Sequence, residues 1–222
     1  MKVIALIPAY NEETTIADVL MRTTSFVDQV VVVDDGSSDR TREIAQTQGA
    51  IVVSHVINRG LGAAIGTGFE AAKRLGADIV ITLDADGQHD PTEIKKFVDA
   101  VEDGADVVIG SRMLTGFKGM PWYRQIAQVL GNVVTLVLFG AWVTDSQSGF
   151  RAFTRHALSQ IQIKTNRMEV SSELVAETKR HRLKLAEVPI KAIYTEYSLS
   201  KGQSFLVGMK TLVKLVLRRI NQ

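Results

Sequence analysis

The 222-residue chain contains no cysteine. That excludes a disulfide framework, a thiolate nucleophile and a zinc–thiolate centre, and it suits a cytoplasmic setting. Charge of one sign is scarce as well. The 26 basic residues against 24 acidic ones leave a net charge of +2, too small for a general attraction to nucleic acid. No long apolar run opens the chain: Val3 to Ile7 is cut off by Pro8, too short for the core of a signal peptide, so export is not expected. Nor does any later run reach the roughly 20 apolar residues of a spanning helix. The nearest is Val129 to Val143, interrupted by Gly131, Gly140, Asn132 and Thr135, which reads as a buried or interfacial helix. Internal repeats, low-complexity tracts and clear linkers are missing too. A composition of 45% hydrophobic and 23% charged residues fits an ordinary globular fold with one large core or two small ones.

Two nucleotide fingerprints also fail. Asn58 to Gly66 carries the spacing G-x-G-x-x-x-G after a third strand, where dinucleotide binding wants G-x-G-x-x-G after the first. No G-x-x-x-x-G-K-[ST] occurs anywhere. Close packing of a helix on a sheet is the plain use for these glycines.

What is present is a repeating order. Short Val- and Ile-rich runs at Val3 to Ile7, Val30 to Val33, Ile51 to Val53, Ile79 to Leu83 and Val107 to Ile109 do not alternate with polar residues, which suits strands buried on both faces of a parallel sheet. Segments of helical spacing lie between them, at Glu12 to Thr24, Ser38 to Thr47, Leu61 to Leu75 and Pro91 to Glu102. Strand and helix in alternation predict an open, doubly wound, mostly parallel α/β sheet flanked by helices. A further helix near Val170 to His181 and a strand near Leu185 to Ile190 follow.

In such a sheet, ligands bind outside the carboxyl ends of the strands, where helix N-termini point their positive ends. Those ends carry Pro8-Ala9-Tyr10-Asn11-Glu12, Asp34 to Asp39, Asp84-Ala85-Asp86-Gly87-Gln88 and Gly110-Ser111-Arg112. Two carboxylates one residue apart, Asp84 and Asp86, can turn toward one point and hold a hard divalent cation that leaves positions open for phosphate oxygens. The alternative use for the pair is to cap the helix that begins near Pro91.

Taken together, "IPAYNEETTI", "VVVDDGSSDRT", "NRGLGAAIGTGFEAA", "TLDADGQHDP", "IGSRM" and "TDSQSGFRAF" resemble glycosyltransferase family 2, in its dolichyl-phosphate mannose synthase and polyprenyl-phosphate glycosyltransferase branch. The resemblance covers about residues 1 to 200, and it rests on the order of six blocks more than on any one of them. It implies a GT-A fold, a GDP- or UDP-hexose donor, Mg²⁺ or Mn²⁺, a polyprenyl phosphate acceptor and inversion at the anomeric carbon, with mannose or glucose as the expected sugar. By position, Pro8, Tyr10 and Glu12 would line the nucleoside pocket, with Val33 and Asp35 at the base and ribose. Asp84, Asp86 and Gln88 would hold the metal, with Ala85 beside the donor, and Arg112 would meet phosphate. Asp145 would be the acidic catalytic residue beside Asp86 and Arg112, or would cap the Ser146 to Gly149 turn.

The pattern departs from that branch near the C-terminus. Ser200 and Lys201 match a phosphate-binding Ser-Lys pair, but Tyr194 or Tyr197 stands where an arginine is expected. Residues 1–204 are expected to form the catalytic domain. Residues 205–222 form a basic amphipathic helix, with Leu206, Met209, Leu212, Val213, Val216 and Ile220 in one arc and Lys210, Lys214 and Arg218 along its flank. Such a helix packs on the core or lies on an anionic membrane surface, and the second use predicts a peripheral protein on the cytoplasmic face. A soluble or protein-linked saccharide acceptor, and a non-catalytic nucleotide-sugar-binding protein, are the competing readings.

Overall fold

A computed structural model describes residues 1–116, 125, 129–130, 132–133, 136–137, 140, 142–191 and 193. The segment 205–222, Ser200, Lys201, Tyr194 and Tyr197 lie outside the described residues. The elements run β1 (Val3–Ala9), α1 (Ile16–Thr24), β2 (Gln29–Asp34), α2 (Thr41–Thr47), β3 (Ile51–Ser54), α3 (Leu61–Arg74), β4 (Ile79–Thr82), α4 (Ile94–Glu102), β5 (Val107–Ser111), β6 (Arg151–Thr154), α5 (Arg155–Gln160), α6 (Val170–Arg180) and β7 (Leu185–Pro189).

The strands form one seven-stranded sheet in the order β3-β2-β1-β4-β6-β5-β7. All neighbours pair in parallel except at β6, which runs antiparallel to both β4 and β5. The apolar runs become strands because both faces of the sheet are covered. Along β1, Ala5 and Ile7 enter a core shared with α1 and α4, while Ile4 and Leu6 enter a second core shared with α3, α5 and α6. This is the two-residue period of a strand with neither face left to water.

Close approach sets the α3 side. A Cβ at Gly68 would stand 2.5 Å from Leu6 Cδ2, so only glycine lets α3 lie this near β1. Gly68 lies just past the Asn58–Gly66 stretch, whose own glycines do not meet the sheet: a Cβ at Gly66 would have nothing within 4 Å, and one at Gly60 would meet Asn166. Gly62 serves another contact, since a Cβ there would stand 2.9 Å from the carbonyl carbon of Thr165. The N–H groups of Gly62 and Ala63 donate to Asn166 O at 2.9 and 3.3 Å, satisfying the start of α3 with a backbone carbonyl from far along the chain.

The helix starts differ from their sequence reading. α1 begins at Ile16 because residues 12–15 form a turn in which Glu12 O accepts from Thr15 N and Ile16 N. Pro91 opens a short 3₁₀ turn, capped by the Asp90 carboxylate accepting from Thr92 N, and this turn leads into α4. The largest addition is β6 with α5 behind it. Four residues headed by an arginine give no apolar run, yet Phe153 of β6 meets Phe69 of α3 edge-on at 5.0 Å in the core.

Candidate active site

The first two strand ends are tied to each other. Asn11, at a left-handed φ of 54°, accepts at its side-chain oxygen from Ser38 N (2.8 Å) and donates its own N–H to Ser37 Oγ (3.0 Å). Glu12 N donates to Thr41 Oγ1 at 2.7 Å, which holds Glu12 over the start of α2. Tyr10 stands between them with 46% of its surface exposed, Pro8 is half-buried, and Ala85 is buried.

Asp35 is engaged on three sides. Its Oδ1 lies 2.6 Å from His55 Nδ1 and accepts from Arg59 N at 2.9 Å, and its Oδ2 accepts from Gly60 N at 2.7 Å. His55 Nε2 reaches Thr67 Oγ1 of α3 at 2.9 Å. A buried carboxylate thus fastens the loop before α3 to the end of β2. Val33 is fully buried in the α3-side core, so its side chain belongs to that core and forms no wall of a pocket.

Asp84 follows β4 at the centre of the sheet. It keeps 42% of its side chain open to solvent, with Gly149 packed against the carboxylate. Burial is the largest influence on its carboxyl and lifts it above the usual carboxylate range; the Arg112 and Arg151 charges oppose this and the Glu12 charge adds to it. Asp86 is raised as well, by burial first and then by the Asp84 charge, while the Gln88 N–H, His89 and the Gln88 side chain counter. Gln88 binds Asp86 twice, through its backbone N–H to Oδ1 (3.0 Å) and its side-chain amide to Oδ2 (2.5 Å). The side-chain amide of Gln88 therefore orients Asp86.

Two residues that the sequence reading left unassigned shape this loop. His89 accepts the Asp84 N–H at Nδ1 (3.2 Å), turns Nε2 to within 3.6 Å of Asp84 Oδ2, and stacks on Phe150 at 5.0 Å. Burial, with the Arg112 charge adding, pushes it down to about 4 against the pull of Asp86, Asp145 and Glu93, so it is neutral at ordinary pH. Gly149 lies directly against Asp84: a Cβ there would stand 2.5 Å from Oδ2. Both residues fall inside motifs quoted above, and their position beside the aspartates was the available signal.

Arg112 and Asp145 form one unit. The guanidinium donates from Nε to Oδ2 (2.7 Å) and from Nη2 to Oδ1 (2.8 Å), and the Arg112 backbone N–H donates to Oδ2 at 3.1 Å. Asp145 is fully buried. Below the pair, Arg151 is also buried and donates to three backbone carbonyls: Ser148 O (2.8 Å), Ser171 O (3.0 Å) and Ser146 O (2.7 Å). Burial lowers it to about 10, with the Asp145 and Asp84 charges resisting, so it stays cationic at neutral pH. Glu12, Asp84, Asp86, Arg112, Asp145 and Arg151 are therefore linked by charge at the carboxyl end of the central strands. Gln88 joins them through the chain's exit as well, since Ile193 N donates to Gln88 O at 2.9 Å. Lys201 is eight positions beyond, outside the described residues. A separate cavity of about 690 Å³ opens between α2 and β3, where Asp34, Ser37, Ser54 and His55 are among its lining, and none of the predicted site residues lines it.

The profile of Glycosyl transferase family 2 matches residues 4–162, well over half of the chain. The chain belongs to glycosyl transferase family 2. Among its relatives is a Methanococcus voltae protein named UDP-N-acetylglucosamine–dolichyl-phosphate N-acetylglucosaminyltransferase, 37% identical over 98% of this chain and 96% of that protein. Another is the polyprenol monophosphomannose synthase of Mycolicibacterium smegmatis, 32% identical over 90% of this chain and 80% of the relative. In structure, the glycosyltransferase resembles the glucosyl-3-phosphoglycerate synthase of Mycobacterium tuberculosis crystallised with Mn²⁺, UDP and phosphoglyceric acid. The TM-score is 0.76, with 23% identity over 98% of this chain and 78% of the other. The fold is GT-A, as the sequence blocks implied.

Proposed function

We propose that this glycosyltransferase moves a hexosyl unit from a nucleotide-diphosphate sugar to a polyprenyl phosphate at a membrane surface, with inversion. The observation that carries the reading is the state of Asp145. Its carboxylate is fully buried, and both oxygens accept from Arg112. A fully buried carboxylate with both oxygens on a guanidinium is not presented to an acceptor hydroxyl as a base would be. A lipid phosphate is already anionic near neutral pH and needs no such base. The dolichyl phosphate in one relative's name and the polyprenol monophosphomannose in the other's agree with this chemistry.

Asp84 and Asp86 fit a divalent cation. Gly149, having no Cβ, lets the Asp84 carboxylate settle against it, the donors are hard oxygens, and the Asp84 charge that, after burial, raises Asp86 is what a cation would offset. Among the described residues no three acidic or histidine groups gather as a complete cage, so Gln88, water or the donor's phosphates would complete the shell. When bound, Mg²⁺ or Mn²⁺ supplies charge stabilisation to the departing nucleoside diphosphate. Arg112 and Arg151 supply positive charge near Asp84 as that negative charge grows. Pro8, Tyr10, Glu12 and Asp35 shape the nucleoside end, with Ala85 beside the donor and Lys201 as a further phosphate contact.

A membrane-facing acceptor agrees with the apolar run. Val129, Leu130, Val133, Val137 and Trp142 are 40% to 75% exposed, beside the Thr144–Ser148 turn that carries Asp145. No helix among the described residues is long and apolar enough to cross a membrane. Attachment at the cytoplasmic face, aided by the basic segment 205–222, completes the reading.

The test is a screen of UDP- and GDP-linked glucose, mannose and N-acetylglucosamine against a polyprenyl phosphate in vesicles, with Mg²⁺ or Mn²⁺. A glycolipid phosphate product from at least one donor is expected. Transfer only to a water-soluble saccharide or phosphoglyceric acid would overturn the acceptor, and donor binding without any transfer would overturn the activity.

A further inference from the structure

Asn132 is the first polar residue in an apolar run, and it is buried. An amide in such a place is tolerated only when its donors and acceptors are satisfied. Here one side chain serves both sides of Asp145. The Asn132 amide nitrogen donates to Thr144 O at 2.5 Å. Its oxygen accepts from Ser146 N at 3.0 Å and from Ser146 Oγ at 2.8 Å. Thr144 O belongs to the peptide plane before the Asp145 α-carbon, and Ser146 N to the plane after it. Both soft backbone dihedrals of Asp145 are therefore fixed by one amide.

Of the other contacts around Asp145, Ser148 N donates to Asp145 O at 3.3 Å and so holds only the plane after it. Glu187 accepts from Thr144 N and Thr144 Oγ1, each at 2.8 Å, which holds the residue before. Arg112 holds the carboxylate itself. None of these three spans both planes, as the Asn132 amide does.

We infer that Asn132 is a positioning residue for the transfer step: by pinning the two peptide planes that flank Asp145, it aims the Asp145–Arg112 pair at the reacting groups. This rests on the proposed function, in which Arg112, held by Asp145, supplies positive charge to the departing diphosphate. Among the described residues, the side-chain hydrogen bonds of Asn132 go to Thr144 and Ser146 and not to the Asp84–Gln88 loop or the loops at Tyr10 and Asp35, so its loss should appear in turnover and leave donor binding alone.

The test uses the full chain with Asn132→Leu, which keeps the size and suits the apolar run, and Asn132→Ser, whose hydroxyl is too short to span both planes. In each, kcat is expected to fall at least tenfold while the donor KM stays within twofold. Amide exchange at Ser146 is expected to rise at least tenfold while exchange at Ile81 in β4 is unchanged. If Asn132→Leu does not fold, Asn132→Ser decides. Unchanged kcat in a folded variant, or a loss confined to donor KM, would overturn the assignment. If the unmodified protein transfers nothing to a polyprenyl phosphate, the proposed function fails, and exchange at Ser146 alone decides for Asn132: a rise confined to that turn supports the pinning, and a change within twofold overturns it.

Discussion

The carboxylate of Asp84 rests on the α-carbon of Gly149, so that a Cβ at 149 would stand 2.5 Å from Oδ2 and 2.7 Å from Cγ. Thr82, two residues before Asp84, donates from Oγ1 to Gly149 O at 2.6 Å and holds the two loops at this separation. Asp84 is thus placed by the turn that leads into β6.

Gly149→Ala should separate folding from function. The atom it would strike is the end of a short side chain, so Asp84 can swing aside and the thermal midpoint should move by only a few degrees. Turnover should fall by at least about tenfold, or 1.4 kcal/mol in the barrier, with half-saturation by Mn²⁺ shifted upward. A Mn²⁺ titration of initial rates on the purified variant checks this, and unchanged half-saturation would refute the cradle.

Removing either partner of the Arg112–Asp145 pair, in which Asp145 is fully buried and Arg112 largely so, strands a charge. Asp145→Ala and Arg112→Met should each destabilise by about 3 kcal/mol, and the double variant by much less than the sum. Urea unfolding of the four proteins gives the coupling directly. Additive losses would show that the pair contributes no mutual stabilisation.

Acid should weaken the fold through His89. Its folded value of about 4 lies below the ordinary 6.5 because burial disfavours the imidazolium. Between those values the unfolded chain binds more protons than the folded one, so stability falls as pH drops from about 6.5 toward 4. His89→Asn should flatten that part of the profile, although the variant is less stable at neutral pH for want of the stack on Phe150. Thermal midpoints between pH 4 and 7.5 measure the slope in both proteins.

Cation binding should release protons. Asp84 and Asp86 both sit above the ordinary carboxylate value, and Mn²⁺ requires them ionised. Affinity should therefore rise with pH through the range just above that value and level off once both carboxyls have ionised. Calorimetry in two buffers of different ionisation enthalpy detects the protons, and excess EDTA should abolish turnover. Turnover that survives EDTA would remove the metal from the proposed function.

Much of the scaffold was legible along the chain. Val3 to Ile7, Val30 to Val33 and Ile79 to Leu83 read as strands buried on both faces because hydrophobic runs and their breaks are local properties, and each appears in the sheet. Asp84, Asp86 and Arg112 could be placed at strand ends for the same reason. What the tertiary structure alone decided are contacts between segments far apart. Examples are β6 entering antiparallel between β4 and β5, the 33-residue separation bridged by Arg112 and Asp145, and the three carbonyls gathered by Arg151. Val33 shows the limit from the other side: its type allows either a pocket wall or core, and only the arrival of α3 on that face of β2 assigns it to core. Periodicity records which way a side chain faces along its own element, while the partner that meets it depends on the register of distant segments, which no local pattern encodes.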